Sequence, residues 1–313
     1  MKKVKIFLAV FVVLLAIVVG GGIYMFGVSL DRKVTSTDEE GAYAFLYDHD
    51  PNLKLWVDSL RRESALRDTF IVADDGSKLH ALYVRSAIES PNTALIIHGY
   101  TDNSIRMLMI GHLYNKEMNY NILLPDLRAH GKSDGEYIQM GWKDRLDILK
   151  WIDVTKGIYG DTTRMVIHGI SMGAATTMMT SGEDLPENIK CFVEDCGYTS
   201  VWDEFKHKLK DEYGLPAFPI LHTASLYAQA KVGWNFKEAS ALEQLKKSKL
   251  PMFFIHGDKD TYVPTWMVNK LYEAKQGDKE LWVVPGVEHA NAYWDYTDEY
   301  VAKTNQFVSK YIH

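Results

Sequence analysis

Two kinds of hydrophobic pattern divide the chain. Residues Ile6 to Leu30 form an uncharged run dominated by Val, Ile, Leu and Phe. From about residue 66 onward, short apolar segments alternate with longer segments whose apolar positions recur at the helical period. Alternation of this kind predicts an α/β fold, in which a mostly parallel sheet is covered by helices on both faces.

The alternating part begins with a predicted β-hairpin, because two alternating segments flank Asp75-Gly76. A last helix is predicted from Tyr296 to Ile312, where apolar residues recur on one face. The interval from about 198 to 249 is mostly helical and interrupts the alternation, so we expect a lid over the carboxyl ends of the strands. The strands between hairpin and last helix are predicted at TALIIHG, YNILLPD, RMVIHG, CFVED, PMFFIHG and LWVVPG.

The run from Ile6 to Leu30 is long enough to cross the roughly 30 Å hydrocarbon core of a membrane as a helix. Three lysines precede it, and positive charge on the amino side favours a cytoplasmic N-terminus. The alternative is a cleaved secretory signal, whose apolar part is normally about 7–15 residues long and ends at a small-residue site. The run is longer and lacks a convincing site, which favours an uncleaved anchor.

These patterns predict three regions: a transmembrane anchor at 1–30, a polar juxtamembrane connector at 31–65, and an exported globular domain at 66–313. The chain has 313 residues, of which 47% are hydrophobic and 24% charged, so it can bury a sizeable core. Its net charge of −6, without a basic stripe interleaved with aromatics, argues against a nucleic acid partner.

The chain has two cysteines, Cys191 and Cys196. On a strand they lie too far apart to form a disulfide, so we expect free core thiols. No cluster of Cys and His has the spacing of a structural zinc site. We therefore expect neither a metal nor an organic cofactor.

The stretch HGISMG places Ser171 between Gly169 and Gly173. An apolar strand precedes it and a run rich in small residues and Met follows, which is the strand–turn–helix context of an exposed nucleophile. Glycines suit the flanking positions because a side chain there would collide across a tight turn. An ordinary structural turn is the alternative, and we favour the nucleophile.

A serine nucleophile needs a base, and an acid that orients the base. His289 follows the last predicted strand, and both Asp258 and Asp260 follow PMFFIHG, so the order Ser, Asp, His expected of this sheet architecture is present. The residues alone do not separate the two aspartates. The remaining candidate histidines occupy strand ends, a loop or polar helical stretches, which suit structural roles: His168, His256, His130, His49 and His207.

The developing oxyanion needs two backbone N–H donors. One is expected from Met172, the residue after the candidate nucleophile. The other is expected from Tyr100, in the loop after an early strand, where Gly99 permits a sharp turn. The pair His98-Gly99 is a weak indication of an oxyanion loop when taken alone. It is a strong indication here because the candidate nucleophile, acid and base follow it in the expected order.

From about residue 66 to its end, the chain resembles the α/β-hydrolase superfamily in the blocks IIHGYTDN, PDLRAHGKSDG, HGISMGA, IHGDKDTYVP and PGVEHA, in the family's order. It is most similar to membrane-anchored bacterial esterase-like hydrolases near the serine-aminopeptidase and acylpeptide-hydrolase branch. The resemblance implies that Asp260, rather than Asp258, is the acid. Some relatives take the acid from an earlier strand, which makes Asp195 the second candidate.

The resulting expectation is a single-pass membrane protein whose exported domain hydrolyses small-molecule carboxylic esters of short-to-medium acyl chain through an acyl-enzyme on Ser171. One alternative is a serine peptidase or amidase with the same residues, and another is a catalytically silent, membrane-tethered binding module. A peptidase that recognises a free amine needs carboxylates near the nucleophile. Four in the lid could serve but are more simply interpreted as a solvated helix face: Asp203, Glu204, Asp211 and Glu212.

Overall fold

A computed structural model describes residues 2–312 of the chain. Within that range, eight strands form one sheet in the order β1-β2-β4-β3-β5-β6-β7-β8. Strand β2 is antiparallel to both of its neighbours, and all other pairs are parallel. The strands are β1 (Arg67–Val72), β2 (Lys78–Val84), β3 (Asn92–Ile97), β4 (Asn121–Pro125), β5 (Arg164–Ile170), β6 (Ile189–Asp195), β7 (Met252–Gly257) and β8 (Lys279–Val284).

Helices cover both faces of the sheet, which confirms the predicted α/β architecture. A 3₁₀ turn lies at Arg32–Val34 and a π-helical turn at Leu113–Glu117. The α-helices are α1 (Lys2–Leu30), α2 (Glu39–His49), α3 (Pro51–Arg62), α4 (Leu108–His112), α5 (Asp144–Tyr159), α6 (Met172–Thr180), α7 (Val201–Tyr213), α8 (Ile220–Val232), α9 (Ala241–Leu245), α10 (Trp266–Ala274), α11 (Ala292–Asp295) and α12 (Thr297–Val308).

Several predicted elements are confirmed. Strands β1 and β2 pair as an antiparallel hairpin around Asp75-Gly76. The last helix is shorter than predicted, at Thr297–Val308, and buries Tyr300, Phe307 and Val308. Cys191 and Cys196 are buried free thiols. The interval 198–249 forms α7, α8 and α9, and α7 begins where the Ser200 hydroxyl accepts from the Asp203 N–H at 3.1 Å.

The sheet separates two hydrophobic cores. One contains the end of α1 together with residues of α5, α6, the lid helices and α10. The other contains residues of α2, α3, α4 and α12. Parallel strands buried on both faces read as continuous apolar runs rather than alternating ones, and β4 and β7 are buried along their whole length. The strand ends that carry the functional side chains are therefore fixed from both sides.

The region predicted as a polar connector contributes to the second core. It is helical, and α3 buries Leu53, Trp56, Val57 and Leu60. Pro51 occupies the first turn of α3, and the Asp50 carboxylate accepts from the Asn52 N–H at 2.8 Å. Charged residues on the outer face of the amphipathic helix give the region its polar composition.

Packing of α3 on the core predicts unequal costs for two leucines on the same helix. Leu53 is fully buried, whereas Leu55 is 73% exposed. Leu53→Ala should lower the free energy of unfolding by about 2–5 kcal/mol because it leaves a cavity, while Leu55→Ala should change it by less than about 0.5 kcal/mol. Urea unfolding of the full-length protein in detergent measures both, and equal effects would contradict the packing of α3.

Candidate active site

Ser171 lies on a sharp turn between β5 and α6. Its φ of 55° and ψ of −115° are uncommon for a residue with a side chain. The Ser171 N–H donates to the carbonyl oxygen of Asp195, at the end of β6, at 2.8 Å. This bond and the start of α6 hold the strained turn and direct the serine to the carboxyl end of the sheet.

The two flanking glycines are required by close backbone contacts. A Cβ atom at Gly169 would lie 2.1 Å from the carbonyl oxygen of Gly173, across the turn. A Cβ atom at Gly173 would lie 2.1 Å from the carbonyl oxygen of Ile97, on the neighbouring strand β3. The first contact is the expected one. The second differs from the expectation, because the neighbouring strand, and not the turn itself, requires the second glycine.

The structure brings Ser171, His289 and Asp260 together although they are far apart in sequence. His289 Nε2 lies 2.9 Å from Ser171 Oγ, and His289 Nδ1 lies 2.7 Å from Asp260 Oδ2. The other carboxylate oxygen of Asp260 accepts from the backbone N–H groups of Tyr262 and Val263, at 2.9 and 2.8 Å. The arrangement has the geometry of a nucleophile, a base and an acid that orients the base.

Asp260 is held as a carboxylate. Burial opposes its ionisation, but hydrogen bonds from His256 and His289 outweigh burial and lower its pKa to about 2. His256 Nε2 lies 3.3 Å from Asp260 Oδ2 and 2.8 Å from the carbonyl oxygen of Val263. The sequence interpretation assigned His256 a structural role at a strand end, and only the folded loop brings it onto this carboxylate.

The other two candidate aspartates have different partners. Asp258 accepts from the N–H of Gly286 at 2.7 Å, on the exposed side of its loop. Asp195 accepts from the hydroxyl of Tyr300 at 3.0 Å, and burial raises its pKa to about 6. Among residues 2–312, neither carboxylate forms a hydrogen bond with His289.

The two predicted oxyanion amides lie beside Ser171. A Cβ atom at Gly99 would be 3.5 Å from Ser171 Cβ, so the loop carrying Tyr100 passes directly over the nucleophile. The Tyr100 N–H has no acceptor within the described residues. Met172 begins α6, where N–H groups have no intrahelical acceptor. Both amides are therefore available to a ligand atom.

Two cavities meet at Ser171. The larger encloses about 1040 Å³, open solvent included, between the sheet edge, the lid and the end of α1. Its lining includes Met25, Val28, Ser29, Met172, Phe205 and Ile220. The smaller cavity lies on the side of His289 and is lined by residues that include Phe45, Tyr100, Asp102, Arg106, Asn291 and Trp294. The contribution of α1 was not anticipated from the sequence.

The lid carboxylates are not a uniform solvated face, which corrects the sequence interpretation. Glu204 is 3% exposed, lines the larger cavity, and has no hydrogen-bond partner for either carboxylate oxygen within residues 2–312. Burial raises its pKa to about 8. Glu212 also lines the cavity but pairs with Lys208 at 2.8 Å. Glu204 falls three residues after the buried Val201, which is the sequence signal that could have identified it.

A further contact fixes the imidazole of His289. The ring of Tyr262 stacks on it, with ring centroids 4.9 Å apart and an angle of 27° between the planes. The ammonium group of Lys208, on the lid helix α7, lies 3.5 Å from the centroid of the same tyrosine ring. Tyr262 therefore links α7 to the histidine, a role with no signal in the sequence.

One group of possible metal ligands occurs among the described residues, formed by Cys196, Asp260 and His289 with ligand atoms within 4.8 Å of one another. Asp260 and His289 already bond to each other. Burial raises the pKa of the Cys196 thiol well above its usual range, so the thiol keeps its proton and is a poor ligand. This donor set suits the hydrogen-bonded pair better than a metal ion.

A sequence profile of the prolyl oligopeptidase family matches residues 116–313, which include Ser171, Asp260 and His289. The chain belongs to this family. It is 30% identical to the uncharacterised Bacillus subtilis protein YqkD over 220 residues, which cover 70% of this chain and 72% of YqkD. It is 22% identical to the uncharacterised Saccharomyces cerevisiae membrane protein YNL320W, over 72% of this chain and 75% of that protein.

The fold also matches solved hydrolase structures. The Pyrococcus furiosus esterase Pf2001 superposes with a TM-score of 0.66 and 26% identity, over 79% of this chain and 92% of the esterase. Together with the family match, this likeness identifies the protein as a hydrolase of the α/β-hydrolase superfamily. Helix α1 has the length and composition of either a membrane span or a signal sequence.

The isolated carboxyl of Glu204 predicts a pH-dependent effect of its removal. Because burial raises its pKa from 4.5 to about 8, the folded hydrolase keeps a proton that the unfolded chain releases in that range. The free energy of unfolding of the wild type, relative to that of Glu204→Gln, should therefore decrease as the pH rises from 4.5 to about 8. The expected decrease is about 1.4 kcal/mol per pH unit.

Unfolding of the detergent-solubilised full-length proteins at several pH values measures this difference. Glu212→Gln is the control, because it removes a carboxyl whose side chain is 46% exposed. A difference between the wild type and Glu204→Gln that stays constant across the range would contradict the raised pKa of Glu204.

Proposed function

We propose that the hydrolase cleaves carboxylic esters of short-to-medium acyl chain through an acyl-enzyme on Ser171. The observation that carries the proposal is the continuous hydrogen-bonded chain from Ser171 Oγ through His289 to Asp260, at 2.9 and 2.7 Å. The likeness to an esterase of known structure supports the choice of an ester substrate.

In the first half of the proposed reaction, Ser171 Oγ attacks the ester carbonyl carbon while His289 Nε2 takes the hydroxyl proton. Asp260 holds the imidazole in the correct tautomer and stabilises the imidazolium. The N–H groups of Tyr100 and Met172 donate to the oxyanion of the tetrahedral intermediate. When the C–O bond to the alcohol breaks, His289 returns the proton to the departing oxygen.

In the second half, a water molecule gives its proton to His289 and attacks the acyl carbonyl. The same two amides stabilise the second oxyanion. When this intermediate collapses, the bond between the acyl carbon and Ser171 Oγ breaks, His289 returns the proton to Oγ, and the acid leaves. The larger cavity, whose walls include Met25, Val28, Leu209 and Ile220, suits the acyl chain. The cavity beside His289, which contains the Asp102–Arg106 pair at 3.7 Å, suits the alcohol.

A peptidase or amidase is the second candidate, and Glu204 is the observation that favours it. A buried carboxylate in the cavity could bind the free amine of a peptide. Because burial raises the pKa of Glu204 to about 8, an ammonium group at neutral pH would have to displace a proton from this carboxyl before it could pair with it, which weakens amine recognition. We therefore favour esters. A silent binding module has no need of the aligned serine, histidine and aspartate.

We further propose that α1 anchors the hydrolase in the cell membrane, with the N-terminus in the cytoplasm and the catalytic domain outside. The uncharged run after the amino-terminal lysines supports this orientation. Burial of the carboxyl end of α1 in the domain supports an uncleaved helix, since Phe26 and Leu30 are 2% and 0% exposed.

Paired substrates test the proposed bond specificity. With full-length protein in detergent, kcat/KM for p-nitrophenyl esters should exceed that for aminoacyl p-nitroanilides by at least about 100-fold, since an amide requires protonation of a poor leaving nitrogen. Similar rates on both substrates would support the peptidase function instead.

A labelling experiment tests the nucleophile. A fluorophosphonate probe should label the wild type and not Ser171→Ala. Labelling of the variant would refute Ser171 as the nucleophile.

Substitution of the three candidate aspartates tests the assignment of the acid. Asp260→Asn should lower kcat by about 10³–10⁴-fold, because the imidazole is then held in the wrong tautomer. Asp258→Asn and Asp195→Asn should have much smaller effects, since their carboxylates bond to Gly286 and Tyr300 instead. A larger loss in Asp195→Asn than in Asp260→Asn would transfer the role of the acid to β6.

A further inference from the structure

The carboxyl-terminal part of α1 packs closely on the lid helix α8. A Cβ atom at Gly22 would lie 2.7 Å from Thr223 Cβ, so the absence of a side chain allows the two helices to touch. At Gly21 the nearest lid atom is Cγ1 of Ile220, 3.9 Å from the position of a Cβ. Further along, the ring of Phe26 meets that of Tyr227 edge-on at 5.0 Å. The two helices therefore run side by side from Gly21 onward.

Hydrogen bonds join the end of α1 directly to the catalytic domain. The carbonyl oxygen of Leu30 accepts from the N–H of Ile138 at 2.7 Å, and Arg32 donates to the carbonyl oxygen of Gly131 at 3.2 Å. The hydroxyl of Tyr100 donates to the carbonyl oxygen of Ser29 at 2.9 Å. The end of α1 is thus fixed to the loop that carries a predicted oxyanion amide.

The free part of α1 is too short to cross a membrane alone. The exposed apolar stretch Ile6–Gly20 spans about 22 Å at 1.5 Å per residue, whereas the hydrocarbon core is about 30 Å thick. A span of about 20 residues that begins at Ile6 reaches Met25, and tilt would require still more. A membrane that holds α1 therefore extends to the level at which α1 contacts α8.

The lid presents an apolar loop at that level. Residues 214–221, which form the connection from α7 to α8 and the first two residues of α8, have the sequence GLPAFPIL and contain no ionisable side chain. Phe218 is 72% exposed and Leu215 is 38% exposed. Tyr24, on the adjoining part of α1, is 63% exposed, and tyrosine favours the interface between hydrocarbon and water. Exposed apolar patches mark surfaces that contact another protein or a membrane, and the adjoining membrane helix α1 favours the membrane here.

The larger cavity at Ser171 lies directly behind this loop. Its walls combine Met25 and Val28 of α1 with Ile220, Leu221 and Ala224 of α8. In the proposed position, these residues lie near the boundary of the hydrocarbon core or in the adjacent headgroup layer. Glu212 and Tyr213, at the end of α7, complete the wall of the cavity beside the contact between α1 and α8. An acyl chain in the outer surface of the membrane therefore lies next to a cavity that leads to Ser171.

We propose that the segment 214–221 inserts into the membrane surface and that the substrates are acyl esters dissolved in the bilayer, whose acyl chains enter the larger cavity between α1 and the end of α7, beside the contact of α1 with α8. Helix α1 is then one wall of the substrate site as well as the anchor. The substrate class rests on the ester function proposed above. The position of the loop rests instead on the proposed anchoring of α1 in the membrane.

A spin-label experiment tests the position of the loop without any use of activity. Phe218→Cys and Ile88→Cys are labelled with a nitroxide in the full-length protein, reconstituted in phosphatidylcholine vesicles. The native Cys191 and Cys196 are 0% and 1% exposed, so the new thiol reacts selectively. Ile88 is a matched control, because it is 73% exposed and precedes β3 at the opposite end of the strands.

The label at 218 should collide preferentially with oxygen, which concentrates in lipid, and the label at 88 with a water-soluble nickel complex. Equal accessibility of both labels to the nickel complex would overturn the insertion of the loop.

Activity in the same vesicles tests the substrate class. The rate on p-nitrophenyl dodecanoate dissolved in the bilayer is divided by the rate on water-soluble p-nitrophenyl acetate. This ratio should fall at least about tenfold in Phe218→Asp, because a charge opposes insertion of the loop, and should keep its wild-type value in Ile88→Asp. An unchanged ratio in Phe218→Asp overturns the proposed entry from the membrane. If the wild type hydrolyses neither ester while the label at 218 lies in lipid, the proposed ester function is refuted and the proposed position of the loop in the membrane is retained.

Discussion

The contact between Gly173 and strand β3 is the constraint on which the site depends. With 2.1 Å between a hypothetical Cβ at Gly173 and the Ile97 carbonyl oxygen, no side chain can separate α6 from the sheet. Because α6 starts so close to β3, the turn at Ser171 and the loop that follows β3 at Gly99 are held against each other. One tight contact thus positions both the nucleophile and the predicted oxyanion donors.

Near Ser171, three buried carboxyl groups have different pKa values because their surroundings differ. Asp260 receives hydrogen bonds from two histidines, which lower its pKa to about 2 and keep it charged beside His289. Asp195 has one tyrosine partner, and burial raises its pKa to about 6. Glu204 has no partner among the described residues, and burial raises its pKa to about 8. The number of donors available to each group, rather than its depth alone, separates these behaviours.

The proposed anchor and the proposed active site share residues. Ser29, near the end of α1, accepts a hydrogen bond from Tyr100, whose backbone N–H is one of the predicted oxyanion donors. Phe26 packs against Tyr227 of the lid. Displacement of α1 would therefore disturb the oxyanion loop and the lid together, so this hydrolase couples the position of its first helix to the geometry of its chemistry.

The sequence by itself determined the order of strands and helices along the chain, the turn at Ser171 and the choice of His289 as its partner. Short-range rules suffice for these features, since strand period, glycine spacing and chain order are all local or sequential patterns. The choice of Asp260 over Asp258 needed a family resemblance, because both follow the same strand. Only the tertiary structure revealed the second histidine on Asp260, the isolated carboxyl of Glu204 and the packing of α1 on the lid. Each depends on contacts between segments far apart in the chain, and composition and period do not record such contacts.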